Sequence, residues 1–134
     1  MTKFQFYRYA FYWFIILVFS NTNGNAQCVS GGMWQNFTPT CSGSAQLITP
    51  AGYAGEYDAV NLTAGNYYKF DSSVPTDVVT ITDNANSILA WGVATVIFKP
   101  TVSGLYRFYD HTPLCGSQFV NRSRYITCNA SPQP

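Results

Sequence analysis

Past residue 26, apolar and polar positions alternate over short runs, and no stretch repeats at the three- and four-residue spacing of an amphipathic helix. The pattern is clearest at residues 106–111. An extended chain there puts Tyr106, Phe108 and Asp110 on one face and Arg107, Tyr109 and His111 on the other, as in a half-buried strand. A short loop leads to a second strand at 119–128. One of its faces carries Val120, Arg122, Arg124 and Ile126, the other Phe119, Asn121, Ser123, Tyr125 and Thr127. Burying an unpaired guanidinium costs several kcal/mol, so Phe119 and Tyr125 are expected to contribute more to packing than the two arginines.

The same reading predicts strands at 45–49, 56–63, 67–72, 78–82, 88–91 and 94–99, with one short strand inside a glycine-rich N-terminal loop at 28–41. Pro50 is expected to stop the first of these. The AGN turn at 64–66 and the DNANS turn at 83–87 each signal a hairpin. Eight or nine short strands about ten residues apart predict an antiparallel β-sandwich, jelly-roll-like, spanning 27–128. Residues 129–134, with two prolines and no apolar pattern, read as a tail or linker.

The first 26 residues differ in kind. Lys3 and Arg8 precede an apolar run at 11–19, and Gly24 and Ala26 precede Gln27, the layout of a secretory signal peptide cleaved after Ala26. The run is too short to span a bilayer, so membrane contact is expected only during export. Without Lys3 and Arg8, five of the seven basic residues remain against six acidic ones. That near-neutral balance does not favour nucleic-acid binding. Cys28, Cys41, Cys115 and Cys128 all follow the leader, and an even count in an exported chain points to two disulfides. The close cysteine pairs of a structural zinc site are absent. Of the three connectivities, local pairing of Cys28 with Cys41 and Cys115 with Cys128 is expected, because each intervening segment need only turn back on itself.

The segments GEYDAVNLTAGNYYKFDSSVPTDVVTITD, ILAWG and GLYRFYDHTPLCGSQFVNRSRYITC carry a resemblance. Together they resemble the β-sandwich module near the N-terminus of many secreted, type IX secretion-associated surface proteins of the Bacteroidota. In broader shape the chain is similar to pre-peptidase C-terminal domains. The resemblance covers roughly Cys28 to Cys128 and implies an exported module in a larger surface protein. It implies no catalytic residues.

Candidate chemistry is sparse. His111 is the one histidine, and Asp110 beside it points to the opposite face, so the two make no dyad. Glu56 and Asp58 share a face in the manner of paired carboxylates, but on a sheet without an evident cleft. No cofactor is implied. Calcium is the one ion that Asp71, Asp77, Asp83, Asn84 and Asn86 in the turns could suit, against the ordinary role of such residues in turn geometry. Trp34, Tyr53, Tyr57 and Trp91 could form a platform for sugar rings, and Arg122 and Arg124 could meet a carboxylate or sulfated glycan. The sequence therefore predicts a non-catalytic, secreted or cell-surface module, accessory or adhesive, whose partners are neighbouring protein modules. The alternative is a glycan-binding module that targets an attached hydrolase to polysaccharide.

Overall fold

The computed structural model describes residues 27–129, so the expected leader and the last five residues lie outside the described part. Nine strands follow in order: β1 (Gly32–Phe37), β2 (Ala45–Ala54), β3 (Glu56–Leu62), β4 (Tyr68–Ser72), β5 (Val78–Asp83), β6 (Ile88–Val93), β7 (Thr95–Phe98), β8 (Gly104–His111) and β9 (Gln118–Cys128). They form a five-stranded sheet in the order β1-β3-β8-β5-β6 and a four-stranded sheet in the order β2-β9-β4-β7. The chain passes from one sheet to the other at nearly every connection, which gives the jelly-roll-like sandwich.

That winding corrects one local expectation. The turn at 64–66 joins β3 of one sheet to β4 of the other, and β8 and β9 also lie in different sheets. Both sites have turn chemistry, but each strand buries its inner face against the opposite sheet instead of pairing with its sequence neighbour. The turn at 83–87 does close a hairpin, with β5 paired antiparallel to β6. Pro50 does not end β2, which continues to Ala54 with three shifts of register along β9. Edge position makes this possible: β2 has only one neighbour, so an imino nitrogen on its open side breaks no ladder. β1 pairs with β3 in parallel, the exception in an otherwise antiparallel structure.

The disulfides overturn the local pairing. Cys28 bonds Cys115 and Cys41 bonds Cys128, each across 87 positions. The limb from Cys28 to Cys41, carrying β1 of one sheet, and the limb from Cys115 to Cys128, carrying β9 of the other, are tied by a bridge at each end. Local pairing would require each limb to fold back, whereas β1 and β9 are extended.

Between the sheets, Ile48, Val60, Leu62, Tyr68, Phe70, Val79, Ile81, Val96, Tyr106, Phe108 and Ile126 form one apolar cluster. Phe70 and Phe108 meet edge-on at 5.2 Å, as do Phe98 and Tyr106 at 5.5 Å. Burying each such side chain contributes about 1.5–3 kcal/mol. The cluster fills only part of the interior. Towards the Cys28–Cys115 end the same inward faces become ionic: Val60 gives way to Asp58, Phe108 to Asp110, Val79 to Asp77, and Ile126 to Arg124 and Arg122.

Candidate functional site

The ionic end of the interior is built by alternation, since each charged residue lies two positions from an apolar core residue or from another charged one. Arg122 is 1% exposed and Arg124 0%. Arg122 donates through Nε and Nη2 to the two carboxylate oxygens of Asp77, and also to the Gln118 side chain and the Val120 carbonyl. Arg124 Nη1 donates to Asp58 Oδ2 at 2.9 Å and Nη2 to the Tyr53 carbonyl at 2.6 Å. Gly52 makes room for that guanidinium, because a Cβ there would lie 2.8 Å from Arg124 Cζ. Asp110 sits between the two arginines, 3.9 Å from Arg122 Nε and 3.6 Å from Arg124 Nε, and neither of its oxygens accepts a hydrogen bond.

Three buried carboxyl groups thus face two guanidinium groups, which leaves one negative charge in excess if all are ionised. Burial, reinforced by the Asp77 carboxylate, pushes Asp110 up to about 8, and Arg124 only partly offsets this. Burial also raises Asp58 despite its bond to Arg124. At neutral pH Asp110 therefore holds a proton and the cluster is close to electrically balanced. All five side chains are sealed from solvent, so the arrangement stores charge and a proton without presenting them to a substrate.

The outer face of the five-stranded sheet carries a second network. Tyr109 donates its hydroxyl to Asn86 Oδ1 at 2.7 Å, and Arg107 reaches the same oxygen and the Asn84 carbonyl. The Arg107 guanidinium lies over the Tyr57 ring, which meets Tyr109 at 4.8 Å. The N-terminal segment crosses this face like a strap: Asn86 Nδ2 donates to the Val29 carbonyl, His111 Nε2 to the Ser30 carbonyl at 2.7 Å, and Cys28 is bridged to Cys115. Burial lowers the pKa of His111, and its Nδ1 has no hydrogen-bond partner. Asp110 points inward from the neighbouring position, so the two groups lie on opposite sides of the sheet.

The residues proposed from sequence are not brought together. Trp34 lies on β1 and Trp91 on β6, opposite edges of the five-stranded sheet, four strand spacings or roughly 19 Å apart. Both are partly exposed, at 46% and 40%, while Trp34 donates its indole N–H to Thr49. Tyr57, between them, is stacked under Arg107. Tyr53 instead meets Phe119 on the other sheet. Arg122 and Arg124 do not face a ligand, which corrects the glycan-contact reading of that pair. The expected ranking on β9 is reversed as well, since Phe119 is 89% exposed while the arginines are enclosed. The cost that argued against burying them is met by Asp58, Asp77 and Asp110, residues distant in sequence.

The turn acids disperse. Asp71 pairs with Lys69 and accepts from Thr95. Asp77 belongs to the buried cluster. Asp83 accepts from the backbone N–H groups of Ser87 and Ala85, which lowers its pKa. Among the described residues no group of three or more histidine, cysteine or acidic side chains is placed to hold a metal ion. Comparison with protein-family models, curated proteins and solved structures finds no match to the chain.

Proposed function

We propose that this chain is a non-catalytic β-sandwich module of a secreted or cell-surface protein, serving as an accessory or adhesion domain. One contrast supports the reading: the acidic and guanidinium groups of the interior are enclosed, while large apolar side chains stand in solvent at the Cys28–Cys115 end. Leu114 is 97% exposed and neighbours the bridged Cys115, and Phe119 and Val120 follow it on β9. The two disulfides are consistent with an oxidising, extracellular setting. The resemblance to Bacteroidota surface modules points the same way. Disruption of the gene in its host tests the proposal. Lower adherence with unchanged secreted hydrolase activity supports it, whereas turnover of a hydrolase substrate by the purified chain contradicts it.

The partial exposure of Trp34 and Trp91 favours a second reading, a glycan-binding module attached to a hydrolase. Saturable binding on a glycan array, lost in Trp34→Ala or Trp91→Ala, would transfer the assignment to it.

A further inference from the structure

β9 is longer than the strand it pairs with on one side. Its pairing with β4 ends at Ser72 opposite Arg124, and the next contacts are the Ser73 N–H to the Ser123 carbonyl and the Ser123 N–H to Ser73 Oγ. Beyond Ser123 the β4 side of β9 has no strand, although β2 still accompanies the other side as far as Gln118. Backbone groups of alternate residues point to the same side of a strand. The N–H and C=O groups of Asn121 and Phe119 therefore point, as those of Ser123 do, to the side left open. All four residues from Gln118 to Asn121 are exposed.

We propose that this overhang pairs with its counterpart on a second copy of the chain, two β9 strands lying antiparallel about a two-fold axis at Val120. In that register Phe119 of each copy is opposite Asn121 of the other, and both positions carry the free backbone groups. Val120 faces Val120 in the non-hydrogen-bonded position, where Cα atoms come within about 4.5 Å. Two features favour a second copy as the occupant. A two-fold contact sets identical residues against each other, so any charge would meet its like, and residues 112–121 contain no Asp, Glu, Lys or Arg. The contact side chains are also uncharged, Phe119 and Val120 being apolar and Asn121 polar, and Phe119 makes an edge-on contact with Tyr53 at 5.7 Å. Other edges of the sandwich are blunted in the usual ways: β2 by Pro50 and register shifts, β1 and β6 by a shift each, and β7 by its four-residue length. The β9 overhang has no proline and no charged side chain, and its one register shift, between Arg122 and Gln118, lies against β2 on the opposite side. Its short length puts the contact among weak, concentration-dependent interfaces.

Sedimentation of the disulfide-bonded protein over a range of concentrations tests the proposal. The expected result is a monomer–dimer equilibrium whose dissociation constant rises at least tenfold in Asn121→Pro, which removes one edge N–H, and in Phe119→Lys, which sets like charges across the axis. Unchanged circular dichroism would show that both variants fold. A Val120→Cys variant should cross-link to its twin on oxidation, while Thr101→Cys, exposed at the other end, should not. A monomer at every concentration up to millimolar, a dimer unaffected by both edge substitutions, or equal cross-linking at both cysteines would overturn it.

Discussion

Along β8, Tyr106 and Phe108 face the opposite sheet at one end and Asp110 faces it at the other, and β3 and β9 make the same change from apolar to ionic. The two ends of the interior share strands, registers and seclusion from water. What separates them is how each residue is satisfied. An apolar side chain is indifferent to which apolar neighbour it meets, so the Phe70 and Phe108 end tolerates many partners of suitable volume. A buried guanidinium needs its particular carboxylate, so Arg122 and Arg124 each specify a strand crossing: β9 over Asp77 ahead of β5, and β9 over Asp58 on β3. The apolar end supplies most of the stability, and the ionic end fixes which strands lie opposite one another.

Breaking the ionic end on one side only should give the largest effect. Arg122→Ala leaves Asp77 buried without its guanidinium and should cost about 3–5 kcal/mol in denaturant unfolding, whereas replacing a pair together, as in Asp58→Leu with Arg124→Met, should be far milder than either change alone. A double variant as damaging as the sum of its single changes would remove the distinction between the ends.

Next in size are the bridges. Replacing Cys28 and Cys115 by serine releases the N-terminal strap and should cost about 2–5 kcal/mol. Peptide mapping without reduction should recover Cys28 with Cys115 and Cys41 with Cys128, and a peptide joining Cys28 to Cys41 would refute this arrangement.

A smaller effect follows from Asp110. Its folded pKa of about 8 lies above its ordinary value of 3.8, so the folded state keeps a proton that the unfolded chain releases above pH 4. Stability from this group falls as pH rises, and the loss levels off above 8. His111 acts oppositely: its folded pKa is lowered, so its contribution is lost as pH falls below 6.5. The window from 6.5 to 8 therefore separates Asp110 from His111. Stability should decline there by about 1–2 kcal/mol, and Asp110→Asn should flatten the slope. A flat wild-type profile across this window would mean that Asp110 is ionised throughout.

The smallest effect belongs to the exposed overhang. Phe119→Ala should change the stability of the monomer by about 0.5 kcal/mol or less.

The sequence made the strands legible because their alternation survives even where the inward residue is charged. Asp110 shares a face with Tyr106 and Phe108, and Arg124 with Ile126, but the cost of burying a guanidinium argued for Phe119 and Tyr125 as the packed face of β9, and that inference was wrong. What a single strand could not reveal was the compensating partner, since Asp58 and Arg124 are 66 positions apart and meet only when the two sheets pack. The hairpin signal at 64–66 failed for a related reason, as turn chemistry marks a reversal and not the sheet in which the next strand settles. The cysteines did carry a usable sign. Cys28 to Cys41 and Cys115 to Cys128 have the same spacing, which suits two extended limbs joined at both ends. The aromatic candidates scattered because exposure and residue type do not report position across a sheet, and Trp34 and Trp91 came to rest at opposite edges.

The most direct test compares two adjacent residues of β9 that point in opposite directions. In matched denaturant titrations at pH 7, Arg124→Ala should lose about 3–5 kcal/mol because Asp58 is left buried and unpaired, while Tyr125→Ala, on the outer face, should lose less than about 2 kcal/mol. A larger loss for Tyr125→Ala than for Arg124→Ala would place the aromatic inside and the guanidinium outside, and would contradict an interior that is ionic at one end.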